Sequence, residues 1–125
     1  MTPSILIGGK LSQETRKWLV NQDVKFTEHV DGQWLNEGFD AYLFLTSTDI
    51  RHYKEAGNMP MPGSLVLTSG EHSALEAYKA FPNEVRIING DDELTFVQYS
   101  YLHFIGALRD DAREPDLRYE NLQWE

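Results

Sequence analysis

The sequence predicts a three-layer α/β sandwich built on a five-stranded, mainly parallel sheet. Short apolar segments alternate with amphipathic helical segments along the chain, and residues 41–45 are apolar at every position, as in a strand covered on both faces. The length of 125 residues suits one core better than two. Strands that alternate with helices pair in parallel through right-handed crossovers, which is the basis of the prediction.

The chain begins with a strand and a helix. Residues 4–7 form a short apolar run closed by Gly8 and Gly9, which is typical of a buried strand that leaves its sheet through a tight turn. Ser12 can cap the following helix, because its hydroxyl can accept a hydrogen bond from an unpaired amide of the first turn. Apolar residues then recur at helical spacing, which predicts a helix over residues 11–22.

The next two strands are joined by a short connection. Residues 24–30 alternate apolar and polar, as an edge strand does, and the run 41–45 is the central strand. Fewer residues connect them than a parallel crossover normally takes. A single helical turn around Trp34 and Leu35 would complete a crossover, whereas the turn signal Asp31-Gly32 would pair the strands as a hairpin. We favour the short crossover.

The second half of the chain continues the alternation. Two prolines exclude a helix or a central strand over residues 58–63, so this segment is a loop. The other elements are, in order, a helix over residues 49–56, a strand over 64–68, a helix over about 71–81, a strand over 84–88 and a helix over about 92–109. An inward face is predicted for each of the last two helices. On the helix 71–81 it consists of Leu75, Tyr78 and Phe81, and on the last helix of Leu94, Val97, Tyr101, Leu102, Ile105 and Leu108.

The composition changes after residue 109, which divides the chain into a domain over residues 1–109 and an acidic tail over residues 110–125. The tail is charged and broken by Pro115, which is typical of a segment outside the core. Its end carries more apolar surface than a free tail needs, at Leu117, Tyr119, Leu122 and Trp124. The tail therefore either docks on its own domain or binds a partner, and both interpretations stay open.

The overall charge is strongly acidic. With 20 acidic and 11 basic side chains, the formal net charge is -9, and this field repels nucleic-acid phosphates and anionic lipid heads. Neither nucleic acid nor a membrane is expected as a partner. Cysteine is absent, which excludes disulfides and thiolate chemistry and is compatible with a reducing compartment. Since no leader-like or membrane-length apolar segment is seen, we expect a cytoplasmic protein.

Polar loops are predicted beyond the carboxyl ends of the strands, where open α/β sheets bind ligands. Hydroxyls and unpaired amides at helix N-termini suit carboxylate or phosphate groups, and Lys10 would add a positive charge. The same residue types are also ordinary helix caps, so both interpretations stay open. The candidate ligand-binding residues are Gly8, Gly9, Lys10, Thr46, Ser47, Thr48, Thr68, Ser69 and Gly70.

The sequence carries no signature of catalysis, of a metal site or of a cofactor. The acidic run 91–93 suits the first turn of a helix, where the helix dipole favours negative charge. The four histidines are scattered without metal-ligand spacing, and no glycine-rich nucleotide motif occurs. We expect no catalytic residue, no metal and no cofactor. Tyr99 falls outside the apolar stripe of the last helix, so it is a candidate partner-binding residue together with Tyr119 and Trp124.

Over residues 4–108 the pattern resembles the receiver domain of response regulators, which has a flavodoxin-like fold with strand order 2-1-3-4-5. The resemblance is carried by the strand 5–7, the strand 39–45 and the hydroxyls after Leu67. The family's site residues are replaced: its first acidic pair by Gly8 and Gly9, its phosphoacceptor aspartate by Leu45 or Thr46, and its lysine by Asn89 or Gly90. Without these carboxylates neither a magnesium site nor a nucleophile remains. The resemblance implies a non-catalytic pseudo-receiver that recognises a protein partner, with homodimerisation left open.

The segment 39–57 also resembles one βα unit of uroporphyrinogen III synthase, a family that places a strand, a Thr-Ser pair and a helix facing a tetrapyrrole cleft. Here the pair is Thr46-Ser47, and the chain has half the length that such a two-domain enzyme needs. The implied alternative is a small-anion-binding or synthase-like domain that uses the strand-end loops. An acidic protein is poorly suited to attract an acidic substrate, so this function ranks second.

Overall fold

The computed structural model describes residues 3–22, 24–30, 32–35 and 37–109, with side chains described as far as residue 104. All nine predicted elements are present within this part of the chain, each with bounds within two residues of those expected. They are β1 (Ser4–Gly8), α1 (Gln13–Val20), β2 (Lys25–His29), β3 (Ala41–Phe44), α2 (Ser47–Glu55), β4 (Leu65–Thr68), α3 (Glu71–Ala80), β5 (Val85–Ile87) and α4 (Glu93–Arg109).

The five strands form one parallel sheet in the order β2-β1-β3-β4-β5. The predicted flavodoxin-like order is therefore confirmed. Ile5 of β1 lies between Phe26 of β2 and Ala41 of β3, so β1 is an interior strand although it comes first in the chain. The strands β2 and β5 form the two edges.

The short connection between β2 and β3 is a crossover, as predicted, because β1 lies between the two strands. The expected helical turn around Trp34 is absent from the described residues 32–35. A buried side chain takes its place: the Asn58 amide donates to Gln33 O (2.9 Å) and its Oδ1 accepts from Leu35 N–H (2.8 Å). Because Asn58 follows α2, these hydrogen bonds hold the connection against the helical layer that contains α2.

Two apolar cores lie on opposite faces of the sheet. The helices α1 and α4 cover one face, where Trp18 contacts Tyr101 edge to face at 5.7 Å between ring centroids. The helices α2 and α3 cover the other, around the buried Tyr42 and Tyr53. Burial and the neighbouring Tyr42 raise the pKa of the Tyr53 hydroxyl well above its usual range.

The inward face predicted for α3 is wrong at two of three positions. Phe81, which follows the helix, is buried, but Leu75 is 58% exposed and Tyr78 is 72% exposed. The small residues Ser73 and Ala77 are buried instead, and such residues allow a helix to lie close to the sheet, which turns its large side chains outwards. On α4, Leu94, Val97 and Tyr101 are buried as predicted, Leu102 is half-buried, and the side chains of Ile105 and Leu108 lie outside the described set.

Candidate functional site

The loops after the parallel strands meet at one edge of the sheet, as the sequence predicts for a ligand site. A cavity of about 330 Å³ opens there. It lies between the ends of β3 and β4 and the start of α4, and we call it the strand-end cleft. Its lining residues are Leu45, Thr46, Ser69, Gly90, Asp92, Glu93 and Phe96. Of the nine predicted ligand-binding residues, it brings together only Thr46 and Ser69.

The hydroxyls at this edge are bonded within the domain. Thr46 caps α2: its Oγ1 accepts from Asp49 N–H (3.2 Å) and donates to Asp49 Oδ2 (2.7 Å). The Ser69 hydroxyl donates to Leu45 O (3.3 Å), and Thr48 Oγ1 accepts from Arg51 (3.1 Å). These groups therefore complete helix ends and loops, which is the ordinary capping role.

Three of the predicted hydroxyl residues, Ser47, Thr48 and Thr68, do not line the strand-end cleft. Ser47 is the first residue of α2 and is half-buried. Thr68 ends β4 and is fully buried, and its hydroxyl has no hydrogen-bond partner in the described structure. Since Thr68 is inaccessible to a ligand from outside, it cannot contribute to binding at the surface.

Close packing explains why positions 8 and 9 are occupied by glycine. A Cβ on Gly8 would overlap Cδ1 of the buried Phe44 ring. Gly9 has φ +127°, and a Cβ there would lie 2.9 Å from Asp49 Oδ2, so both space and backbone favour glycine. Gly70 differs, because it begins α3 with φ -173° and open space around its Cα. The two glycines at the end of β1 thus make room for side chains of the domain itself.

The N-terminus of α1 is already occupied by a carboxylate of the same chain. Ser12 N–H lies 2.9 and 3.0 Å from the two oxygens of Glu93, and the Thr15 hydroxyl donates to Glu93 Oε1 (3.3 Å). A carboxylate is favourable there because it meets unpaired amides and the positive end of the helix dipole. Glu93 therefore fills the place that a ligand anion would take at this helix.

The charge around the strand-end cleft is negative. Glu28 accepts from Leu11 N–H (3.4 Å) and from the Arg16 guanidinium (2.7 Å), and this carboxylate raises the pKa of Arg16. Asp92 caps α4 by accepting from Thr95 N–H (2.8 Å). Lys10 is exposed in the loop after β1. An incoming anion would face several carboxylates at this edge, so the predicted attraction by Lys10 is opposed by its surroundings.

The acidic run 91–93 does not converge on one point. Asp92 bonds at the start of α4, whereas Glu93 bonds at the start of α1. Among the described residues, no three histidine, aspartate or glutamate side chains are grouped so that they could hold a metal ion. Each of these two carboxylates instead stabilises a helix terminus.

A second surface, which the sequence did not predict, lies at the β5 edge of the sheet. Leu75, Tyr78 and Ile87 expose 58, 72 and 42% of their surface around a groove of about 350 Å³. We call it the α3–β5 groove; it is lined by Glu71, Ala74, Leu75, Tyr78, Val85 and Ile87. The available signal was the spacing of Ser73 and Ala77, which places the large residues of α3 on the opposite side.

The predicted partner-binding residues lie elsewhere. Tyr99 is half-buried on α4 and is not part of the α3–β5 groove. Tyr119 and Trp124, like the rest of the tail over residues 110–125, lie outside the described residues. The structure therefore does not bring Tyr99 to the exposed apolar surface.

In comparisons with protein-family models, with curated proteins and with solved structures, the chain matches none of them. No helix in the described part of the chain is both long and apolar enough to cross a membrane. The receiver-like and synthase-like resemblances thus rest on the residues quoted above, and function must be argued from the two surfaces.

Proposed function

We propose that this chain is a non-catalytic protein-interaction domain of receiver-like architecture, which is not phosphorylated and binds its partner through the α3–β5 groove. One contrast carries the proposal. The polar groups of the strand-end cleft bond to other groups of the domain, whereas the apolar side chains of the α3–β5 groove are left exposed.

The absence of phosphorylation follows from the residues at the strand ends. Leu45 and Thr46 occupy the place where a receiver has its phosphoacceptor, and the Thr46 hydroxyl caps α2. Gly8 and Gly9 offer no carboxylate for a magnesium ion, and the space beside them is filled by Phe44 and Asp49. A phosphoryl group would find neither a carboxylate nucleophile at these positions nor a cation held by them.

The interaction role follows from the composition of the α3–β5 groove. In protein interfaces, most of the binding energy comes from a few large side chains that lose their contact with water when the partner binds. Tyr78 combines a large apolar ring with a polar hydroxyl, and Leu75 and Ile87 expose aliphatic surface beside it. A cluster of large apolar side chains on one rigid helix and strand is suited to binding a protein.

Anion binding, the alternative, receives less support. The Ser12 N–H at the start of α1 is bonded to Glu93, and the carboxylates of Asp92 and Glu93 line the strand-end cleft. A small anion would have to displace Glu93 and then remain beside negative charge, which costs electrostatic energy.

The proposal is tested with a photo-crosslinking amino acid placed at position 78 in the full-length protein in its native host. The matched control carries it at Lys25, an exposed position on the opposite edge strand. We expect discrete covalent protein adducts from position 78 and none from position 25. Equal labelling at both positions, or none at position 78, would contradict the interaction role.

Phosphorylation is tested separately on the purified protein. Incubation with acetyl phosphate and magnesium should leave the intact mass unchanged. A labile phosphoryl adduct would refute the prediction that the domain is not phosphorylated, independently of the crosslinking result.

A further inference from the structure

We infer that the occupant of the α3–β5 groove is a second copy of this chain, paired antiparallel along β5 so that two five-stranded sheets join into one. The inference rests on the proposed interaction role and names its partner. Its two supports are the open backbone edge of β5 and the order of charges along that strand.

Among the described residues, no strand pairs with the outer side of β5. Its inner side bonds to β4, as Glu84 O accepts from Val66 N–H (3.0 Å) and Ile88 N–H donates to Thr68 O (2.8 Å). In a parallel ladder alternate residues direct their N–H and C=O groups to opposite sides. The backbone groups of Val85 and Ile87 therefore point away from β4, towards the edge where another strand can pair.

Charges on an edge strand usually discourage pairing, but here their order favours an antiparallel copy. Glu84 and Arg86 flank Val85, have side chains 56 and 52% exposed, and form an ion pair with each other. When two copies pair with Val85 on the two-fold axis, Glu84 of each lies opposite Arg86 of the other. Opposite charges placed directly across an antiparallel pair stabilise it, and like charges destabilise it.

The apolar residues complete the contact on one face of the joined sheet. Val85 and Ile87 line the groove with α3, whereas the next residue along, Ile88, packs on the opposite core. A two-fold axis perpendicular to the sheet keeps each face on its own side, so the grooves of both copies meet. Leu75 and Tyr78 then border the same seam from both copies, as an isologous interface requires.

The test uses paired charge reversals in the full chain, measured by sedimentation equilibrium. Glu84→Arg places like charges opposite each other in its own dimer, and so does Arg86→Glu. Each variant alone should self-associate at least about tenfold more weakly than the unaltered chain, since two cross-strand pairs change sign. An equimolar mixture should recover association to within about threefold, because opposite charges again meet at both positions.

The control is Lys25→Glu on β2, the other edge strand, which changes the net charge by the same amount as Arg86→Glu. It should leave self-association unchanged. Because Glu84 and Arg86 are about half exposed, the variants should keep the secondary structure of the parent, and circular dichroism checks this.

Three outcomes would overturn the inference: an unaltered chain that stays monomeric, single reversals that change nothing, or a mixture that does not recover. Crosslinking from position 78 separates this failure from failure of the interaction role. Adducts with another protein and none with a second copy would refute the homodimer alone, whereas no adduct at all would refute both.

Discussion

The strand-end cleft and the α3–β5 groove lie in the same small domain and have opposite chemistry. Around the strand-end cleft, hydroxyls and carboxylates bond to helix termini, as Thr46 does at α2 and Glu93 at α1. Around the α3–β5 groove, Leu75 and Tyr78 expose more than half of their surface. At the location that the fold favours for ligands, the polar groups therefore bond within the domain, whereas a cluster of apolar side chains is exposed at the β5 edge of the sheet.

This difference shows that residue type alone does not identify a site. Ser, Thr, Asp and Glu suit both anion binding and helix capping. Only partners and distances separate the two roles, and at the strand-end cleft these favour capping. Exposed apolar surface is the better indicator of function here, because nothing in the described part of the domain uses it.

The largest effect on the free energy of unfolding is expected from a substitution that disrupts the close packing at the end of β1. Gly8→Ala places a methyl group against the Phe44 ring, which is fully buried. Overpacking of this kind costs about 1–3 kcal/mol or more. Urea unfolding should show this loss, whereas Gly70→Ala, in open space and extended backbone, should cost at most about 1 kcal/mol, from the poorer N-cap of α3. If Gly8→Ala unfolds like the parent, the packing explanation for Gly8 is wrong.

A smaller effect is expected at the start of α1. Glu93→Ala removes the carboxylate that meets Ser12 N–H and the Thr15 hydroxyl, at a cost of about 1–2 kcal/mol in the free energy of unfolding. The same substitution at Glu14, an acidic residue in the first turn of α1, should cost about 0.3–1 kcal/mol, from the helix dipole alone.

The Glu93→Ala variant also sharpens the distinction between capping and anion binding. With the Ser12 N–H at the start of α1 freed, inorganic phosphate should raise the melting temperature of this variant above that in sodium chloride of equal ionic strength. The unaltered chain should show no such difference, because Glu93 holds the place. Phosphate stabilisation of the unaltered chain, lost in Lys10→Ala, would instead favour the anion-binding alternative.

The fold was predictable because its signals are local. Strand β3 is apolar throughout and is buried at every position, and Ser12 caps α1 by accepting from Thr15 N–H (3.3 Å) as expected. The parallel pairing of the strands followed from alternation and from the handedness of crossovers, whereas their order was what the receiver resemblance implied. Even the short connection after β2 was predicted, although its anchor was not, since Asn58 lies 25 residues away from Gln33.

The surfaces were harder to predict because they depend on contacts between distant residues. Nothing in the run 91–93 indicates that Glu93 bonds to Ser12, a contact between residues 81 positions apart. Helical spacing alone could not tell whether α3 packs through Leu75 and Tyr78 or through Ser73 and Ala77. Side-chain size suggested that Leu75 and Tyr78 face the sheet. In the structure Ser73 and Ala77 are buried instead, because small side chains allow the helix to lie close to the sheet.

The smallest effect concerns pH and compares a buried tyrosine with the exposed one. Burial raises the pKa of Tyr53 above the usual tyrosine value of about 10. Its stabilising contribution is therefore complete below about pH 10 and is lost as the pH rises from there towards the raised value, by at most about 1.4 kcal/mol per pH unit. Tyr53→Phe should flatten this alkaline fall in the free energy of unfolding, measured by urea unfolding between about pH 9 and 11. Tyr78→Phe, which removes an exposed hydroxyl at the groove, is the matched control; if Tyr53→Phe keeps the alkaline slope of the unaltered chain, the buried Tyr53 hydroxyl is not the cause of the fall.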